Sequence, residues 1–249
     1  MSYHAIGRDI CAVAATVIVM AGTAGCSSSS TSSPDPSTTS SRPASTASST
    51  STSSAPPLPT VAPDRLDSLL LTGPEAQTVM GPDPLSPKTE VFRELDSNKT
   101  ATPPECLGAR WPAQKSVYEG SGYTAIVALE LDPATKSEVY VQQSVATFPS
   151  QDAAQALVSK SAGAWKGCAG QNIATKNDTA DPRRWTFGNV SGEPPKIAVL
   201  LTLEAGRGVA CQHALSAVSN VVIDINACGL DVSDQGNQLA DIIADKVAH

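Results

Sequence analysis

The chain has no Cys-x-x-Cys pair, only 3 histidines in 249 residues, and no apolar run long enough to cross a bilayer. The first two absences argue against a structural zinc site, which draws four ligands from closely spaced cysteines and histidines. The third argues against a spanning helix, which needs about 20 apolar residues. A basic surplus is lacking as well: 17 Lys and Arg stand against 24 Asp and Glu, for a formal net charge of −7. Arg8 offsets Asp9 and Arg42 offsets Asp35, so this charge belongs to the chain beyond Pro63. A domain of that sign has no general attraction to nucleic acid or to anionic lipid head groups.

Catalytic signatures are equally scarce. Gly188-Asn189-Val190-Ser191-Gly192 displaces its serine by one place from a nucleophile elbow. Asp231 to Gly236 lacks the acid spacing and final glutamate of a calcium loop and reads as a turn with a helix cap. Gly206-Arg207-Gly208 is a hairpin turn, since no helix follows to make it a phosphate cradle. His213, two residues from Cys211 on an expected strand, is the one histidine placed to act as a base, and it reads as a structural residue. No catalytic residue, metal or cofactor is expected.

What is present begins with an address. One basic residue, Arg8, precedes the apolar run Ile10 to Met20, and small residues lead to Cys26. Such a run suits a cleaved export signal over residues 1–25. The pattern before Cys26 is that of a lipoprotein signal, although Thr23 stands where an aliphatic residue is usual. Cys26 is therefore expected to carry lipid and to hold the protein at the outer side of the cell membrane. From Ser27 to Pro63 the chain is almost wholly Ser, Thr, Pro and Ala, too poor in apolar area to offset its ordering entropy. Residues 26–63 are thus read as the lipidated cysteine and a linker, about 35 Å end to end as a coil and suited to O-glycosylation.

Cys11 falls in the expected signal and Cys26 is the expected anchor, which leaves Cys106, Cys168, Cys211 and Cys228. Four cysteines in an oxidising compartment imply two disulfides, and spacing does not choose among the three pairings.

Residues 64–249 suffice for one domain with its own core. Periodicity predicts a short helix over 64–71 and a second opened by a capping box at Thr72 and Glu75. An irregular stretch, 83–104, follows. Strands are predicted at 123–131, 137–148, 184–189, 196–204, 209–217 and 220–227, with Ser150 capping a helix over 151–166 and Ser233 opening a terminal one. The connections between strands are mostly too short for parallel crossovers. The expected class is α+β: an antiparallel sheet of about six strands with helices on one face.

For binding, Arg183-Arg184-Trp185 sets two cations beside an indole, able to hold an anionic or sugar-like ligand by bidentate hydrogen bonds and stacking. The same residues also suit a strand start with one core tryptophan. Trp111, Tyr118 and Tyr123 form a second aromatic group that core packing explains.

Leu69-Leu70-Leu71-Thr72-Gly73-Pro74-Glu75, Ala164-Trp165-Lys166-Gly167-Cys168, Ala210-Cys211-Gln212-His213-Ala214-Leu215 and Asn220 to Gly229 resemble the PknH-like extracellular sensor domain. That family is the outward part of a mycobacterial transmembrane serine/threonine kinase and recurs as free-standing lipoproteins. The resemblance covers 64–249 and implies an α+β domain with a sheet-lined cleft and bridges Cys106–Cys168 and Cys211–Cys228. What it implies here is a lipid-anchored, non-catalytic sensor-type binding module of the cell envelope, with an unidentified small-molecule or envelope ligand. The cleft is expected between the sheet and residues 83–104, with Arg183, Arg184 and Trp185 at its rim. The alternatives are an envelope hydrolase with an unrecognised site and an accessory subunit bound to an envelope protein partner.

Overall fold

The computed structural model describes residues 58–135, 137–176 and 182–249. The expected signal, Cys26 and the linker as far as residue 57 lie outside the described residues.

Two caps act where the sequence placed them. Thr72 Oγ1 accepts from the Glu75 amide at 3.4 Å while the Glu75 carboxylate accepts from the Thr72 amide at 2.7 Å, opening α2 (Gly73–Met80) behind α1 (Leu66–Leu69). This reciprocal pair satisfies donors that a helix start leaves orphaned. Gly73 abuts the Leu85 carbonyl so closely that a Cβ would sit 1.9 Å from its oxygen, which makes glycine obligatory there. Ser150 caps α4 (Gln151–Cys168), whose Ala154, Leu157, Val158, Ser161 and Trp165 are all buried at helical spacing. The terminal helix α5 (Gln235–Ala248) starts two residues after Ser233 and buries Leu239, Ile243 and Val247. Between these lies a short helix, α3 (Lys115–Tyr118), after a 3-10 turn at Pro104–Ala109.

The sheet is antiparallel throughout and has nine strands rather than about six: β1 (Leu85–Pro87), β2 (Thr100–Thr102), β3 (Ala125–Pro133), β4 (Tyr140–Thr147), β5 (Asn172–Lys176), β6 (Arg183–Glu193), β7 (Lys196–Leu203), β8 (Val209–Val218) and β9 (Val221–Leu230). Their order is β1-β3-β4-β9-β8-β7-β6-β5-β2. The three unforeseen strands are the short β1, β2 and β5, too brief to show a period of two in sequence.

Helices cover both faces of the sheet, not one. Every residue of β8 from Val209 to Ala217 and of β9 from Val221 to Gly229 is buried, so neither face of the central pair meets water. On one face α4 packs on Trp185, Phe187, Leu201, Leu215 and Val222. On the other, α1, α2 and α5 pack on Val141, Val145, Ile223 and Ile225. Gln143 ties that second layer down, accepting from the Leu71 amide at 2.7 Å and donating to its carbonyl at 2.9 Å. The bonded chain begins before Asp64, since Asn220 exchanges two hydrogen bonds with Val61 and Ser219 donates to the Pro59 carbonyl.

β1 and β2 lie at opposite edges of the sheet although few residues separate them. Phe92 still pairs with Ala128 beside β3, yet Thr100, eight residues on, pairs with Lys176 of β5 at the far edge. Eight residues reach at most about 29 Å, whereas eight strand spacings in a flat sheet span about 38 Å. The sheet is therefore curled, and residues 93–99 strap across its concave end.

Candidate ligand-binding cleft

A cleft of about 770 Å³ opens beneath that strap. One wall is the strap itself, with Leu95, Asp96, Asn98 and Lys99; the sheet supplies Glu130, Tyr140 and Gln142 from β3 and β4 and Trp185 from β6. Alternate residues of a strand share a face, so these sheet residues lie on the α4 side. Phe92, about half exposed, stands among the lining residues. Its location agrees with the expectation of a cleft between the sheet and residues 83–104.

Its charges are mostly paired. Lys88 Nζ lies 2.9 Å from Glu130 and 3.0 Å from Asp132, Lys99 pairs with Asp96, and Arg183 lies 3.6 Å from Glu138. Burial pushes the Glu130 carboxyl up, but the hydrogen bond and charge of Lys88 outweigh it and hold the group below the usual carboxylate range. For Asp132, burial together with the adjacent Glu130 charge outweighs Lys88 and raises the pKa. The Lys88 ammonium is driven up, chiefly by its hydrogen bond to Glu130.

Arg110 differs from these cations. It is 2% exposed and has no carboxylate partner among the described residues. Its guanidinium carbon lies 4.8 Å from the centre of the Trp111 ring and 4.2 Å from that of Trp185. Nη2 donates to the Tyr140 hydroxyl at 3.0 Å, whereas Nε and Nη1 are buried without an acceptor among the described residues. The Trp185 indole N–H is likewise buried and unpaired.

The segment carrying Arg110 is anchored at both ends. The Cys106–Cys168 disulfide ties the 3-10 turn to the end of α4. Downstream, Asp224 of β9 accepts from the Ala113 amide at 3.1 Å and from the Tyr118 hydroxyl at 2.8 Å, while its other oxygen lies 2.5 Å from His213 Nε2. The Trp165 ring packs against the imidazole with centroids 4.6 Å apart and planes tilted by 37°. His213 is fully buried and lines no part of the cleft, so it sits in the foundation of the wall with no room beside it for a substrate. The second disulfide, Cys211–Cys228, joins directly opposed residues of β8 and β9, with Cys211 Sγ 3.7 Å from the Tyr140 hydroxyl.

Of the cationic and aromatic residues singled out in the sequence, Arg183 and Trp185 line the cleft and Arg184 does not. Alternation along β6 turns Arg184 to the opposite face, where it is exposed. Trp185 is 1% exposed, a core residue presenting one surface to the cavity. Trp111 also lines the cavity, while Tyr118 and Tyr123 pack edge to face at 6.2 Å. Arg110 escaped sequence reasoning; the available signal was an arginine before Trp-Pro in a stretch, Cys106 to Tyr118, that contains no acid.

Residues 61–246 match the PknH-like extracellular domain. The chain belongs to that family. It is 43% identical over 193 residues, 77% of its length, to the serine/threonine-protein kinases PknH of Mycobacterium bovis and Mycobacterium tuberculosis. It spans about a third of the length of these relatives, 32% and 30%. The crystal structure of the extracellular domain of PknH from Mycobacterium tuberculosis aligns with a TM-score of 0.72 at 42% identity, over 76% of this chain and 97% of that one. The α+β class with its large antiparallel sheet is thus that of the PknH-like domain. Among the described residues, no helix is long and apolar enough to cross a membrane.

Proposed function

We propose that this PknH-like domain is a non-catalytic, sensor-type module that binds a small molecule of the cell envelope, held at the outer face of the membrane by lipid on Cys26. The observation that carries the reading is the cleft of about 770 Å³, within the size range of pockets that enclose small ligands. Its lining combines apolar side chains with ion pairs, and the histidine that a hydrolase would recruit is buried away from it. The family supports the sensor character, since the solved relative is the extracellular domain of a kinase. A route from ligand to signal would pass through a partner in the envelope.

The test is native mass spectrometry of the protein purified from its own envelope, compared with an Ala128→Phe variant that fills the cleft. A retained small-molecule mass present in the wild type and absent from the variant supports the reading. Turnover of ester, peptide or glycan substrates by the wild type, blocked in Ala128→Phe, moves the protein to the enzymes.

A further inference from the structure

We infer that the ligand enters the cleft through an oxyanion (carboxylate, phosphate or sulfonate-like group) seated on Arg110 between Trp111 and Trp185. This deepens the binding reading above and rests on it.

Each other cation of the lining, Lys88, Lys99 and Arg183, has a carboxylate partner. Arg110 has none among the described residues, though it is the most deeply buried of the four. An ionised group withdrawn from water is costly unless it is paired and hydrogen-bonded. Two indole rings offset part of that cost, but they supply no acceptor to Nε or Nη1. Both donate in the guanidinium plane, the geometry that suits oxyanions. The buried, unpaired indole N–H of Trp185 adds a donor from the same wall. A cationic ligand would meet Arg110 with repulsion, and a neutral one would leave its buried charge uncompensated. Leu95 and Phe92 give the remainder of such a ligand an apolar surface.

Two dyes sharing one aromatic body separate the possibilities: 8-anilino-1-naphthalenesulfonate carries an oxyanion and N-phenyl-1-naphthylamine does not. Binding is measured on the full chain carrying Cys26→Ser, reading energy transfer from tryptophan and displacement by inorganic phosphate and by dihexanoyl phosphatidylglycerol. The sulfonate dye should bind at least tenfold more tightly than its neutral twin. Arg110→Gln should remove that preference while leaving the neutral dye unaffected, and Arg110→Lys should restore only part of it. Displacement by phosphate marks a free anion, and displacement by the lipid alone marks a headgroup; both bear the inference out. Equal affinity for the two dyes, or full sulfonate affinity in a folded Arg110→Gln, overturns the oxyanion and leaves cleft binding standing. If neither dye binds in a manner blocked by Ala128→Phe, and no retained mass is found in the native protein, both fail. Should Arg110→Gln not fold, the wild-type comparison of the two dyes with phosphate competition decides alone.

Discussion

Tyr118 donates its hydroxyl to Asp224 at 2.8 Å across 106 residues of sequence, joining the segment behind Arg110 to the buried centre of the sheet. The same carboxylate takes His213 and the Ala113 amide, so one acid satisfies three groups. Replacing Asp224 by Ala should leave all three unpaired in a dry site and cost roughly 3–5 kcal/mol, against about 1–2 kcal/mol for Tyr118→Phe. Urea unfolding measures both; equal and small losses would show that the network is not a foundation of the wall.

Tyr118 also predicts an alkaline limit. Burial first, then the Asp224 charge, raises its pKa well above 10.0, so the folded state keeps a proton that the unfolded chain releases. A raised folded pKa contributes stability that is complete below about pH 10 and is lost as pH rises beyond it. In ultraviolet titration Tyr118 should ionise only together with unfolding, and Tyr118→Phe should remove that step. A tyrosine step preceding unfolding in the wild type and missing from the variant contradicts this.

The disulfides close loops of different size, with sequence separations of 62 for Cys106–Cys168 and 17 for Cys211–Cys228. Loop-closure entropy assigns roughly 4 kcal/mol to the first and about 3 kcal/mol to the second. Non-reducing peptide mapping should recover these two pairs, and a Cys168–Cys211 peptide is the result that refutes them. Removing the first pair should also weaken ligand retention, because that bridge holds the turn leading into Arg110.

Arg184 and Trp185 are adjacent yet should behave oppositely. Arg184→Ala, on the exposed face, should alter stability by less than about 0.5 kcal/mol and leave ligand retention intact. Trp185→Ala should cost about 3–5 kcal/mol by emptying the core beside Arg110. Thermal melts of the two single variants decide it, and similar melting temperatures would contradict the burial.

Lipid attachment at Cys26 is testable without any structure. Cys26→Ser should move the protein from the detergent phase to the aqueous phase, since stable membrane residence draws on acyl chains that the proposed site would supply. Unchanged partitioning would remove the anchor from the proposal.

Much of the architecture is local and therefore written in the sequence. Thr72 with Glu75, and Ser150, each satisfy donors within one turn of their own position. The hairpins β3–β4 and β8–β9 pair neighbours in sequence, and the acidic balance and the Ser, Thr and Pro tract are composition alone. The tertiary structure decided the rest. Leu85-Ser86-Pro87 and Thr100-Ala101-Thr102 become strands only because β3 and β5 offer unpaired edges to them, about 45 and 75 residues further along the chain. Trp185 is a core residue because the curled sheet brings Arg110 and β6 together, which no periodicity records. Arg110 itself looks like any surface arginine in the sequence: a charge's partners, or their lack, depend on which distant side chains share its burial, and that is fixed only when the sheet has closed around it.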